Sequence, residues 1–262
     1  MTKKKYSIVF DLDETLGHFD QPYKFWYHLK KFLNSEKLHE NYFFSFLDLF
    51  PEFFRTNIFK ILKYIKKKKI AGECDYVMIY TNNNGPNYWV NIIVSYIHNK
   101  LQYKLFDQII RAFKVNGKIV EVCRSSYSKS YKDFLSCTKL PSTAQICFID
   151  DQHHPDMQHN NVRYISIQHY TYNIAYDVLI EKYFKENTKL FNQFNKTKYD
   201  FINYMKILSK NNFEYLNKTT VDKNIDILYS KIIENNIKKF LREKSKNSRN
   251  KRKLTNTRTR RN

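Results

Sequence analysis

Glycine is nearly missing from this chain of 262 residues, which holds only four, alongside five prolines, four cysteines and two tryptophans. The shortage accompanies heavy use of Asn, Lys and Ile and reads as a compositional bias with no chemistry attached. No two cysteines (Cys74, Cys123, Cys137, Cys147) have C-x-x-C spacing, which excludes a zinc ribbon or a dithiol redox motif. Their neighbours are apolar or strand-like, so four buried free thiols and a reducing, intracellular setting (cytoplasmic or nuclear) are expected. No apolar run approaches the length of a membrane span, and no membrane partner is expected. The N-terminus passes from Lys3-Lys4-Lys5 straight into a short apolar strand, without the apolar stretch and cleavage site of a signal peptide.

Acidic residues are also scarce, 25 against 46 Lys and Arg, for a net charge of +21. Such a surplus favours anionic partners: phosphorylated peptides, nucleic acid or an anionic surface. Much of it is local. Lys238 to Asn262 holds twelve Lys and Arg and one acid, Glu243. This tail suits nucleic-acid binding or nuclear import as well as mere solvation, although no aromatic residue past Phe240 could stack on bases. The run Lys66 to Lys69 ends an expected helix, where cations complement the dipole.

What is abundant is apolar and aromatic: 42% hydrophobic and 17% aromatic, enough for a sizeable core. Tyr6–Phe10, Tyr76–Tyr80, Ile146–Ile149 and Val162–Ile167 read as buried strands, and Phe106–Phe113 as a further strand. Asn116-Gly117 signals a hairpin. Helical spacing covers Thr56–Lys69 and Tyr88–Leu101, and Tyr131–Cys137 reads as a helix start. Strands alternating with helices imply an α/β fold with a Rossmann-like parallel sheet. Residues 20–50, rich in aromatics, form an inserted cap or flap. The expected organisation is a catalytic domain over 1–172, a helical extension over 173–240 and a disordered basic tail over 241–262.

Chemistry-bearing residues collect at the ends of these strands, the edge where open α/β sheets bind ligands. Asp11 ends the first strand, with Asp13 two residues on. A carboxylate nucleophile splits phosphate-ester hydrolysis into two easier displacements, and a second acid can protonate the leaving oxygen and then activate water. Thr81, at the end of the second strand, and the following Asn82 can bind phosphate oxygens. Lys132 can neutralise charge there, with Lys129 and Arg124 as rivals that read more readily as surface charges. Asp150 and Asp151 complete an oxygen-rich set. Carboxylates without His or Cys favour a hard cation such as Mg²⁺, although His153, His154 and His159 leave a zinc alternative open. His18 reads as a flap residue.

The ordered motifs V-F-D-L-D-E-T-L (Val9–Leu16), Y-T-N-N (Tyr80–Asn83), Y-K-D-F (Tyr131–Phe134) and F-I-D-D (Phe148–Asp151) resemble the haloacid dehalogenase superfamily. Within it they are similar to the RNA polymerase II C-terminal-domain phosphatases and NLI-interacting-factor-like phosphatases. The resemblance spans about Lys5 to Ile167. It implies Asp11 as nucleophile, Asp13 as acid/base and Lys132 as the motif lysine. It further implies Mg²⁺ held by the Asp11 carboxylate, the Asp13 carbonyl and an acid of the last motif, Asp151 in first place, with Asp150 positioning Lys132. The implied substrate is a phosphoserine or phosphothreonine protein. A nucleic-acid or nucleotide end phosphatase and a non-catalytic phospho-binding module are the alternatives.

Overall fold

A computed structural model of the protein describes residues 4–209 and 218–258. Five parallel strands form its central sheet in the order β3-β2-β1-β6-β7, with β1 (Tyr6–Phe10) in the middle. Its neighbours are β2 (Tyr76–Tyr80) and β6 (Gln145–Asp150), and the edges are β3 (Gln108–Ile110) and β7 (Val162–Ser166). All five residues of β1 are buried. A parallel strand covered on both faces needs such an unbroken apolar run.

Alternation along the strands divides the interior. Ile8, Phe10, Val77, Ile79, Cys147 and Ile149 face a large helical layer. Val9, Met78, Tyr80, Ile146 and Phe148 face a smaller one that contains Phe134 of α5 (Tyr131–Thr138). Between β3 and α5, Asn116 and Gly117 both take positive φ and join β4 (Lys114–Val115) to β5 (Lys118–Ile119), the expected tight hairpin. The strand expected over Phe106–Phe113 is shorter, being only β3.

The residues between β1 and β2 form three helices, α1 (Asp20–Phe32), α2 (Glu40–Leu49) and α3 (Ile58–Ile70). In α3, Ile58, Ile61, Leu62 and Ile65 are buried at helical spacing. Its basic end is structural: Lys66 Nζ donates to the Leu101 carbonyl, and Lys69 Nζ to the Leu105 carbonyl and Asp107, each at 2.7 Å. Next comes α4 (Asn87–Leu101), and after β7 come α6 (Tyr176–Glu186), α7 (Thr188–Gln193), α8 (Lys198–Ser209) and α9 (Thr220–Arg258).

These later helices share one core with the 20–50 segment. The Phe25 ring stacks on Phe46 at 4.4 Å and meets Tyr183 edge-on at 5.0 Å, and Phe32 packs on Phe201 at 5.3 Å. The aromatic residues of the insertion are therefore the seam that holds the C-terminal helices.

Two expectations need correction. Disorder from 241 onward does not hold as far as Arg258, where α9 continues as helix. Leu241 and Lys244 are buried, and Lys244 Nζ pairs with Asp75 at 2.6 Å, so the segment is anchored where it begins. Beyond that anchor it lacks Gly and Pro and is rich in Lys and Arg, which are good helix formers. The last residues, 259–262, lie outside the described residues. Nor are all four cysteines free: Cys123 and Cys137 form a disulfide, while Cys74 and Cys147 are free and buried. The pair is 14 residues apart in sequence, a spacing that carries no local signature. The bridge also removes one ground for assigning a reducing compartment. Among the described residues, no helix is long and apolar enough to cross a membrane.

Candidate active site

The three central strands end side by side. Phe10 pairs with Ile149 in the β1–β6 register, so the next residues, Asp11 and Asp150, stand abreast at the edge. The Asp11 N–H extends the ladder to the Ile149 carbonyl at 2.9 Å, and the Thr81 N–H does the same to Ile110. Asp11, Thr81 and Asp150 are all buried.

The turn after Asp11 is tightly held. Leu12 and Leu16 are fully buried, and Glu14 takes a left-handed φ of 53°. Gly17 lies against the Phe53 carbonyl, where an added Cβ would come within 2.4 Å of the oxygen, so only glycine fits. Arg55, itself buried, ties the turn down by donating to the carbonyls of Thr15 at 2.7 Å, Glu14 at 2.5 Å and Gln168 at 2.8 Å. Asp13 is thereby held half-buried beside the β2 edge, where Asn83 Nδ2 donates to its Oδ2 at 2.7 Å. The Asn83 N–H donates to Thr81 Oγ1 at 3.0 Å, leaving the threonine proton available to a ligand.

A buried lysine sits between the acids of β1 and β6. Lys129 Nζ is 2.8 Å from Asp11 Oδ1 and 2.6 Å from Asp150 Oδ2. His154 Nε2 approaches Asp150 Oδ2 at 3.3 Å, and the Gln152 N–H donates to Asp150 Oδ1 at 2.8 Å. Both oxygens of Asp150 are therefore engaged. Asp151 Oδ1 accepts from Thr15 Oγ1 at 2.9 Å, and its Oδ2 takes no donor among the described residues.

Burial and neighbouring charge set the protonation of this group. Burial pushes the Asp11 carboxyl up to about 6 even though Lys129 opposes it. Burial likewise raises Asp13 to about 7 against the Asn83 hydrogen bond, and it raises Asp151. For Asp150 burial acts upward, but His154 and Lys129 outweigh it and hold the carboxyl below its usual range. For Lys129 burial works against the charge, and Asp11 with Asp150 overcomes it and raises the ammonium.

The structure brings together Asp11, Asp13, Thr81, Asp150 and Asp151 from the sequence reading. It does not bring in Lys132, which is exposed on α5. The choice of Lys132 is corrected to Lys129, because Ser130 caps α5 through the Asp133 N–H at 3.1 Å and puts Lys132 on the outer face of the first turn. The S-x-x-D pattern of Ser130 and Asp133 is the signal that would have located the helix start. Asn82 is exposed, whereas Asn83 makes the contacts. Arg124 is no surface charge: it is buried and donates to the carbonyls of Thr81, Arg111, Tyr127 and Ser128. Arg55 had no sequence signal.

The histidines do not converge on a metal site. His153 stacks on Tyr164 and His159 on Tyr131, while His154 serves Asp150. Carboxylate oxygens of Asp11, Asp150 and Asp151 do lie within 4.8 Å of one another. All-oxygen donors with Asp151 Oδ2 uncommitted fit a hard divalent cation. The other close group among the described residues, Glu121 with Cys123 and Cys137, contains the disulfide.

No protein-family model matches the chain, and neither a curated protein nor a solved structure resembles it at a significant level.

Proposed function

We propose that the protein is a phosphomonoester hydrolase of the haloacid dehalogenase type, with Asp11 as nucleophile and a phosphoserine or phosphothreonine protein as substrate. The observation that carries this reading is that Asp11 pairs with the buried Lys129 at the end of β1, with Asp13 two residues on, tied by Asn83 to the loop that begins at Thr81 just past β2. A binding module would have little use for a second acid beside the first.

In the first step an Asp11 oxygen attacks phosphorus while the P–O bond to the substrate oxygen breaks. Asp13 supplies the proton that the leaving oxygen takes up. In the second step Asp13 accepts a proton from water as the water oxygen attacks phosphorus and the Asp11–phosphorus bond breaks. Inorganic phosphate leaves, and both carboxyls return to their starting state. Lys129 offsets negative charge between the nucleophile and Asp150 throughout. The Thr81 hydroxyl and the backbone N–H groups after it hold the phosphate oxygens. Asp11 and Asp151, with the Asp13 carbonyl, would hold Mg²⁺, which supplies charge to screen the approach of two anions. Helix α1, whose Tyr23 meets Trp89 at the start of α4 at 5.1 Å, flanks the phosphate-binding loop and acts as the cap that limits access.

The test is hydrolysis of p-nitrophenyl phosphate with Mg²⁺ by wild type, by Asp11→Asn and by wild type with a chelator. Activity lost in both controls supports the reading, and a folded but inactive wild type overturns it. Parallel assays on a phosphoserine peptide and a 5′-phosphorylated oligonucleotide decide the substrate class.

A further inference from the structure

The disulfide between Cys123 and Cys137 has two ends that differ in access. Cys123 is half-buried, between the exposed Val122 and a loop whose residues Ser125, Ser126, Tyr127 and Ser128 are all exposed. Cys137 is buried in the last turn of α5. The two free cysteines do not compete for the bridge. Burial pushes the Cys74 thiol up to about 12 and raises that of Cys147 as well, so neither supplies a thiolate.

Both ends of the bridge lead to the candidate active site. Arg124, next to Cys123, donates through Nη1 to the carbonyls of Thr81 at 3.2 Å and Arg111 at 2.8 Å. The chain then runs to Lys129, between Asp11 and Asp150, and returns through α5 to Cys137. Three backbone bonds mark the path: Arg124 N–H to the Glu121 carbonyl at 3.1 Å, Ser125 N–H to Asp133 at 2.9 Å, and Ser130 N–H to the Tyr80 hydroxyl at 3.2 Å. The bridge closes this circuit covalently.

Glu121 is placed to tell the two redox states apart. Its Oε1 lies 3.1 Å from Cys123 Sγ, while its Oε2 accepts from the Arg111 N–H at 3.2 Å. A disulfide sulfur has no proton for that oxygen, whereas a thiol in the same place donates one. The contact therefore favours the reduced form.

We propose that Cys123 and Cys137 are a reversible thiol–disulfide modification site that fixes the Lys129 loop when closed and loosens it when reduced, with Glu121 making the bond reducible. As regulation of the candidate active site it rests on the phosphatase reading, whereas the exchange itself does not. The reductant is a small thiol of the glutathione class. Its thiolate attacks Cys123 Sγ, the S–S bond breaks, and Cys137 leaves as a thiolate that takes up a proton. A second glutathione thiolate attacks the glutathione sulfur of the mixed disulfide and releases Cys123, which is protonated in turn. Two glutathione thiols thus give two electrons and two protons to the protein and leave as glutathione disulfide.

The test equilibrates the full chain with mixtures of reduced and oxidised glutathione, traps thiols by alkylation and reads the bridged fraction by mass spectrometry. The bond is expected to be largely open at about 5 mM reduced glutathione, a condition that structural disulfides resist, and a bond still closed there overturns the proposal. Glu121→Gln keeps the shape without the charge and is expected to shift the equilibrium toward the bridge at least about threefold. An unmoved equilibrium overturns it too. Hydrogen exchange at the amides of Arg124, Ser125 and Ser130 is expected to be at least about tenfold faster in the reduced protein, with β1 and β6 unchanged. Exchange that is the same in both forms, or faster everywhere, overturns a local effect. Hydrolysis of p-nitrophenyl phosphate is expected to fall at least about fivefold on reduction and to recover on reoxidation, as a displaced Lys129 requires. Cys123→Ser/Cys137→Ser should behave as reduced wild type and ignore glutathione. Equal, measurable turnover in both forms overturns the regulation. If neither form turns over, the phosphatase reading fails, and the equilibrium and exchange measurements still decide the modification site.

Discussion

Asn83, three residues past the end of β2, donates to Oδ2 of Asp13, in the turn after β1, at 2.7 Å. The bond joins two loops that are 70 residues apart in sequence and fixes the carboxyl proposed as the acid/base. Because it favours the charged carboxylate, its removal lets the Asp13 carboxyl rise further above about 7. Asn83→Ala is expected to lower kcat on the order of 10-fold and to move the alkaline limb of its pH profile upward. A fall in kcat with an unmoved profile would reduce Asn83 to loop packing.

Lys129 and Lys132 make a matched pair of variants. Lys129→Ala leaves Asp11 and Asp150 facing each other in a buried site, a loss on the order of 3–5 kcal/mol in metal-free protein. Its melting temperature and its kcat/KM with p-nitrophenyl phosphate should both fall. Lys132→Ala, at an exposed position, should match wild type in both. The reverse pattern would restore Lys132 as the lysine of the site.

Metal and pH should act together on stability. Asp11 at about 6 and Asp13 at about 7 lie above their unfolded values near 3.8. Groups raised in the fold favour folding below the unfolded value, and that contribution is lost as pH rises through the window from about 4 to about 7. Asp150, held low, is lost only on acidification below that window. Metal-free protein should therefore lose stability as pH rises across the window. Millimolar Mg²⁺ should raise the melting temperature more at about pH 8 than at about pH 5, where protons compete for the same carboxyls. Calorimetry with and without chelator measures it, and an equal Mg²⁺ effect at both pH values counts against the assigned ligands.

The disulfide encloses the segment that carries Arg124 and Lys129. Closing a loop of this size stabilises by about 3 kcal/mol in the chain-entropy account. Cys123→Ser/Cys137→Ser should lower the melting temperature accordingly and reduce kcat, since Lys129 then sits on a less constrained loop. A fall in stability with unchanged kcat would show that Arg124 and Asp133 position Lys129 unaided. Asp133 accepts from the Ser125 N–H and hydroxyl, each at 2.9 Å.

The sequence alone determined the sheet and most of the polar residues that gather at its edge. Tyr6–Phe10, Tyr76–Tyr80 and Ile146–Ile149 are apolar without interruption because strands buried on both faces need it. Asp11, Thr81 and Asp150 stand where those runs stop, so the strand ends mark the site directly. Asn116-Gly117 was equally legible, since a tight hairpin needs two positive φ angles.

Only the tertiary structure decided which cation enters the site, which cysteines pair and where α9 docks. Lys129 and Lys132 differ by three positions and not at all in residue type. What separates them is the helix cap at Ser130 and the pull of two buried carboxylates from distant strands. The Cys123–Cys137 bond and the Lys244–Asp75 pair likewise depend on chain segments meeting in space. Local periodicity records backbone conformation because each residue reports its own burial. Long-range pairing leaves no such record, because it is a property of two segments that the fold alone brings together.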